Sequence, residues 1–245
     1  MSCRLLVDIG NSGAKYSFAI SGEIESPKRV AGGEPLTTLC DDAKRRGADK
    51  AIISSVAGKP ADLISALKKQ GIKVTLLDKD TPLPFATSYK TPETLGADRV
   101  AAVAGASTLW PGENLLVVDA GSCITMEAYV PNTYIGGNIA PGLRMRLRAM
   151  HEHTALLPEV EPDGELPLFG STTSTALRCG ALRGIQYEIE GCARAMELQY
   201  GRPRVILTGG DAPLINKILN IEATVDRSLV LRGLNHILQY NEDKI

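Results

Sequence analysis

Aromatic residues are scarce in this chain: seven Tyr, three Phe and a single Trp, 4% of 245 residues. Proteins that hold single-stranded nucleic acid use stacked rings as platforms, so the shortage argues against that class. An excess of charge is missing too. Against 28 acidic residues stand 27 basic ones, a net charge of −1, and no general attraction to nucleic acid or to membranes is expected. No apolar run is long enough to span a bilayer, because Asp8 and Asp119 interrupt the two greasiest stretches. The start, MSCRLLVDIG, has no basic lead and no small-residue cleavage site, so no secretory leader is expected. The five cysteines, at positions 3, 40, 123, 179 and 192, are odd in number and form no CxxC pair. That pattern points to a reducing compartment, to buried thiols and to the cytoplasm. A Walker A loop, which needs a GK[ST] ending, is also absent.

What is present is an ordinary globular composition, 44% apolar and 22% charged. The length suits one large domain or two of about 120 residues, each able to bury a core. One stretch organises the rest. Leu115–Tyr129 reads LLVVDAGSCITMEAY, and Leu5–Phe18 reads LLVDIGNSGAKYSF. Each is a buried strand, a tight acidic Gly-Ser turn and a returning strand, so one supersecondary unit is used twice. Both aspartates are expected to face one cleft.

Along the chain, strands are expected at 4–9 and 15–20, joined by the turn Gly10–Gly13, with a third over Glu25–Val30. Helix spacing runs from Pro35 to Arg46 and over Ala61–Gln70, with strands at Ala51–Val56 and Lys73–Leu77 between and after. This succession makes a mixed α/β layer. Asp78–Pro92 reads as a loop, and Thr91-Pro92-Glu93 as the start of a helix that runs to Leu109. Trp110-Pro111-Gly112 ends it, which sets domains of 1–110 and 111–245. The second half repeats the plan, with strands at 114–119, 123–130 and 134–139 and a helix opened by Pro141-Gly142. Leu156–Leu168 is an irregular loop, and a long helix covers Thr173–Tyr200. Its Ala176, Gly180, Gly184 and Gly191 offer small contact points between domains or across a dimer. A strand at Arg204–Leu207, a helix at Ala212–Leu219, a strand at Glu222–Thr224 and a closing helix at Ser228–Tyr240 follow. The polar tail Asn241–Ile245 is expected to fray.

The chemistry concentrates in the turns. In Asp8-Ile9-Gly10-Asn11-Ser12-Gly13 the glycines let backbone N–H groups approach an anion, while Asn11, Ser12 and Lys15 supply further donors. Asp8, at a strand end, suits Mg²⁺ held by phosphates. By itself such a turn is equally a plain hairpin. The second copy, Asp119-Ala120-Gly121-Ser122, suggests two turns gripping a phosphate chain, and Thr208-Gly209-Gly210-Asp211 fits a nucleoside-binding turn at a helix start. Three strand–glycine turns in this order are much more specific than any one of them. In Gly96-Ala97-Asp98-Arg99, the aspartate can take a proton from a substrate hydroxyl during phosphoryl transfer. Arg99 can fix an anionic substrate. From those four residues alone, an ordinary helix charge pair is the simpler reading. His151-Glu152-His153 lacks a third metal ligand and reads as a solvated loop.

The set DIGNSG, GADR, DAGS and TGGD, in this order, resembles type III pantothenate kinase over essentially the whole chain. That family belongs to the acetate and sugar kinase, Hsp70 and actin superfamily. The resemblance implies an α/β fold of two RNase H-like (actin-like ATPase) domains, each a mixed sheet flanked by helices. It implies ATP-dependent phosphorylation of pantothenate to 4′-phosphopantothenate, the entry step to coenzyme A, insensitive to coenzyme A itself. Residue by residue, Asp8, Ile9, Gly10, Asn11, Ser12, Gly13, Ala14 and Lys15 match the ATP phosphate-binding segment, and Ser122 a further ATP position. Asp98 matches the catalytic base. Tyr89, Gly96, Ala97, Asp98, Arg99 and Thr173 match substrate-binding positions, with Thr172, one place away, as the alternative register for the threonine. Asp119 matches the residue associated with a monovalent cation, K⁺ or NH₄⁺, beside ATP with Mg²⁺. His151-Glu152-His153-Thr154-Ala155 with Leu157-Pro158 is similar to a family segment near the site. A homodimer is implied as well. The chain departs from the family in having Ser122 where Thr is usual; the hydroxyl stays and a methyl is lost. Two other readings stand beside this one: a kinase of the same superfamily acting on another small alcohol, and a non-enzymatic nucleotide-binding regulator. Retention of Asp8, Asp98, Arg99 and Asp119 together argues against the regulator.

Overall fold

The strand β1 (Cys3–Gly10) drives Leu5, Leu6 and Val7 into full burial and returns through Asn11 and Ser12 as β2 (Gly13–Ile20). A near-continuous apolar run of this kind is what a strand covered on both faces requires. In this computed structural model, which describes residues 2–32 and 36–242, the hairpin anchors the first of two mixed sheets. The single strand expected over Glu25–Val30 is two, β3 (Glu23–Ile24) and β4 (Lys28–Ala31), both pairing with β2. Pro27 lies between them and has no N–H for a ladder. Gly13, at φ 133°, brings its backbone so close to β4 that a Cβ there would collide with the Val30 carbonyl.

α1 (Thr37–Arg46) ends at Gly47, whose φ of 64° is the left-handed conformation glycine supplies. The expected helix start at Pro35 lies outside the described residues. β5 (Lys50–Ser55) runs parallel to β1, α2 (Ala61–Lys69) follows, and β6 (Lys73–Leu76) runs parallel to β5. The expected loop over Asp78–Pro92 contains a two-residue strand, β7 (Ala86–Thr87). Thr91-Pro92-Glu93 does not begin the next helix. Pro92–Thr94 is an isolated 3₁₀ turn, Leu95 is extended, and α3 (Ala97–Leu109) begins only after Gly96, whose ψ of 131° breaks the helical path.

The second sheet comes from β8 (Leu115–Ala120), β9 (Cys123–Val130), β10 (Thr133–Pro141), β11 (Arg204–Thr208) and β12 (Ala223–Val225), with β7 on the first two residues of β10. Its order is β12-β11-β8-β9-β10-β7, against β3-β2-β1-β5-β6 in the first sheet. Its helices are α4 (Leu143–Glu152), α5 (Thr173–Tyr200) and α6 (Ala212–Asn216). α6 is shorter than expected, because Lys217 bonds back to Leu214 and tightens the turn. The chain closes with α7 (Leu229–Glu242).

Two compact units result. One holds Met1–Gly112, Asn132–Tyr134 and Ser228–Ile245, the other Glu113–Pro131 and Ile135–Arg227. The closing helix thus packs in the first unit, not in the second half where sequence order places it. The cause is close helix packing: a Cβ on Gly233 of α7 would strike the Ala101 carbonyl of α3, and one on Gly105 the Leu229 carbonyl. Of the tail expected to fray, Asn241 and Glu242 belong to α7, and Glu242 binds Arg4 at 2.8 Å and Lys50 at 3.1 Å; residues 243–245 lie outside the described residues. Asn241 donates to the Pro82 carbonyl at 3.0 Å. Gly233→Ala is expected to cost about 2 kcal/mol or more through this overpacking, read as a lowered melting temperature. Unchanged melting would mean that α7 can move off α3 freely.

Candidate active site

The first acidic turn is built by strand register. Asp8 stands opposite Lys15 on β2 and beside Ser54 on β5. Ser54 Oγ donates to Asp8 Oδ1 at 2.8 Å. Burial is the main influence on this carboxyl and pushes its pKa up to about 6; the Ser54 bond and Lys15 pull it down, and the negative charge of Asp98 adds to the rise. Asp8 and Asp98 therefore feel each other across the first unit. Asn11 and Ser12 are exposed at the tip, Ile9, Gly10, Gly13 and Lys15 are half-buried, and Ala14 is buried. Backbone amides and polar side chains at a tip with a half-buried acid behind it can receive a polyphosphate.

The GADR residues occupy the first turn of α3. Gly96 is the cap, and Asp98 is the acidic residue of the helix's first turn. Asp98 Oδ1 accepts the Arg99 backbone N–H at 2.8 Å. A Cβ on Gly96 would crowd that same oxygen, which accounts for glycine at this position. Arg99 is buried, its guanidinium 5.5 Å from the centre of the Tyr89 ring. A cavity of about 450 Å³ opens beside this helix start, lined by Val56, Leu77, Thr81, Leu95, Gly96 and Ala97 among others.

One residue here escaped the sequence reading. Tyr134, fully buried, stacks on Tyr89 with ring centres 6.1 Å apart and planes at 17°. Its hydroxyl oxygen accepts from Arg99 at 3.1 Å. Sequence offers only a tyrosine at the start of a return strand, and its pairing with β7 was invisible because β7 is two residues long.

In the second unit, Asp119 is held between Thr125 of β9 and Thr208 of β11. Gly209, at φ 92°, lies so close that a Cβ would press on the Asp119 carboxylate and the Ala120 carbonyl. The Asp211 N–H donates to Ala120 O at 3.1 Å, and burial raises the Asp211 pKa. On the other side, Gly142 N–H donates to Ser122 O at 3.1 Å, and a Cβ on Gly142 would collide with the Gly121 and Ser122 carbonyls. Three glycine turns thus meet around Asp119 and Ser122. The third of these, Pro141-Gly142, read in sequence only as a helix opening.

Thr173 is the first residue of α5 and is exposed. Thr172 is the cap: its hydroxyl accepts from Thr175 N at 3.2 Å, and Thr175 Oγ1 accepts from Thr172 N at 3.0 Å. His151 Nδ1 lies 2.8 Å from Leu157 O. Among the described residues no three His, Cys, Asp or Glu side chains gather as a metal cluster, and no helix is long and apolar enough to cross a membrane. Of the five cysteines, all free of disulfides, Cys3 and Cys179 are buried as expected, whereas Cys40, Cys123 and Cys192 are partly exposed.

Comparison with known proteins bears on these features. A family model described as type III pantothenate kinase matches residues 4–195. A type III pantothenate kinase of Bacteroides fragilis is 42% identical over 99% of this chain and 100% of its own length. Among solved structures, a Campylobacter jejuni protein described as a proposed Baf family transcriptional activator is 25% identical, with a TM-score of 0.66 over 98% of this chain and 99% of that one. A Sinorhizobium meliloti protein described as a proposed 2-dehydro-3-deoxygalactonokinase shares the fold at 15% identity, with a TM-score of 0.59 over 97% and 99% of the two chains. The two mixed sheets flanked by helices are thus those of the actin-like ATPase and sugar kinase fold. With most of its length matched by the family model and its full length by a curated relative, the chain belongs to the type III pantothenate kinase family, and is a kinase.

Proposed function

We propose that this chain transfers the γ-phosphoryl group of ATP to the primary hydroxyl of pantothenate, giving 4′-phosphopantothenate and ADP at the entry to coenzyme A synthesis. The observation that carries the reading is the placement of Asp98 at the start of α3, next to a buried Arg99 and within electrostatic reach of the Asp8 turn. Asp98 accepts the hydroxyl proton as the oxygen attacks the γ-phosphorus; the new P–O bond forms and the bond to the β-phosphate oxygen breaks. Tyr89, Gly96, Ala97 and Arg99 hold pantothenate, Arg99 through its carboxylate. Thr173 adds a hydroxyl contact; Thr172 serves instead in the helix cap. The cavity beside Gly96 mixes apolar and hydroxyl side chains with the charged Asp78, Lys79 and Glu93, a lining that admits an aliphatic acceptor carrying polar groups.

The segment Asp8 to Lys15 and the Ser122 turn bind the ATP phosphates. Asp8 fits a divalent cation, because burial makes its negative charge costly and a cation beside it offsets that cost. Asp119, with the Gly209 backbone against it, would hold the monovalent cation. When bound, these ions neutralise charge on the phosphate oxygens.

We place the activity in the cytoplasm and in a homodimer. Tyr187, Gly191 and Leu198 recur at helical spacing on α5, and Leu198 is 79% exposed and Tyr187 54%. A soluble monomer rarely leaves such a face open. Sedimentation returning only a single-chain species would overturn the dimer.

Product analysis tests the function. After incubation with ATP, Mg²⁺ and pantothenate, ³¹P NMR should show a phosphomonoester on the primary hydroxyl. A phosphorylated product from a different small alcohol alone would reassign the substrate. ATP binding without turnover of any alcohol would make the chain a nucleotide-binding regulator.

A further inference from the structure

Tyr134 touches two of the residues proposed to hold the acceptor, Tyr89 and Arg99, and its backbone also holds the residue before Tyr89. Its backbone carbonyl accepts the Ser88 N–H at 2.9 Å, fixing the chain just ahead of Tyr89. Its ring stacks on the Tyr89 ring, and its hydroxyl accepts from Arg99 Nη2 at 3.1 Å. Arg99 Nη1 lies at 3.5 Å from the Tyr89 hydroxyl. We infer that Tyr134 is a positioning residue that aims Arg99 at the carboxylate of the acceptor and so sets the preference for an anionic over a neutral alcohol. The inference rests on the proposed pantothenate kinase activity and on Arg99 as the carboxylate contact.

A guanidinium presents its N–H groups in a rigid plane, so its value to a carboxylate depends on how that plane is turned. A phenol oxygen fixes the direction of an N–H without cancelling the positive charge. A carboxylate in the same place would compete with the substrate. Tyr134 is fully buried and registered on β7 opposite Thr87, so its hydroxyl has little freedom to follow a displaced arginine. The Tyr89 ring, with Arg99 over it and Tyr134 stacked on it, is located by the same residue.

The test is steady-state kinetics of Tyr134→Phe with pantothenate and with pantothenol, the neutral analogue that keeps the accepting hydroxyl. Phenylalanine keeps the ring stack and the backbone bond and loses only the oxygen. KM for pantothenate should rise by about five- to tenfold, while KM for ATP and for pantothenol stay near the parent values. The pantothenate-over-pantothenol preference then falls by the same factor. In an Arg99→Gln background, which itself raises KM for pantothenate, Tyr134→Phe should add nothing. An equal rise for both acceptors, or no change where Arg99→Gln has a clear effect, overturns the inference and leaves the kinase reading standing. A parent enzyme that does not turn over pantothenate, or an Arg99→Gln variant with unchanged pantothenate KM, overturns the underlying reading and this inference with it.

Discussion

Asp98→Asn is expected to lower kcat for pantothenate by about 10³-fold, within the 10²–10⁴ range typical of a lost general base. The substitution is nearly isosteric. The asparagine side-chain oxygen can still accept the Arg99 backbone N–H, and the amide occupies the space that Gly96 leaves open. The fold and the start of α3 should survive, with a melting temperature near that of the parent and little change in KM for ATP. What disappears is the capacity to take the hydroxyl proton as the P–O bond forms. A loss smaller than about tenfold would show that proton removal is not limiting or that another group performs it.

Asp8→Asn should have two opposite effects. Burial holds the Asp8 pKa at about 6 in the folded chain, above the roughly 3.9 of an unfolded aspartate. The folded state therefore keeps this proton more tightly than the unfolded state. The contribution of this group to stability is therefore fully present below about pH 4 and is lost as pH rises towards and through about 6, where the buried carboxyl must ionise. Removing the charge should stabilise the ligand-free protein at pH 8 by at most about 3 kcal/mol, and by nothing near pH 4. The Ser54 hydroxyl keeps an oxygen to donate to. Activity with Mg²⁺ and ATP should fall sharply, and the rise in melting temperature that Mg²⁺ with ATP gives the parent should shrink. Thermal melts at the two pH values check this. A variant less stable than the parent at pH 8 would mean that Asp8 supports the fold in its ionised form.

Much of the fold is written in local pattern. The β1–β2 hairpin follows from an apolar run, a polar two-residue tip and a second apolar run. α5 begins and ends where the sequence places it, because Thr172 and Thr175 form a reciprocal cap and Gly201 follows the last turn. The start of α3 misleads for a physical reason. Thr91, Pro92 and Glu93 carry every helix-start signal, and they are spent on one 3₁₀ turn before Leu95 and Gly96 go extended. The result matters for function, since it moves GADR from the interior of a helix to its first turn. α7 could not be placed by local pattern either, as its position depends on Gly105 and Gly233 meeting across more than half of the chain.

The candidate site divides in the same way. The acidic turns, GADR and the Gly209 turn are legible because their chemistry needs particular residue types at close spacing. Tyr134 and Gly142 are not, because each acts on residues distant in sequence through strand pairing or backbone contact. Neither residue type signals such a role by itself.

The most direct measurement is ADP release in K⁺ buffer with ATP and Mg²⁺, with and without pantothenate, for the parent and Asp98→Asn side by side. The account predicts release that depends on pantothenate, drops when Na⁺ replaces K⁺, and nearly vanishes in the variant. Release indifferent to pantothenate, or equal in parent and variant, would contradict it.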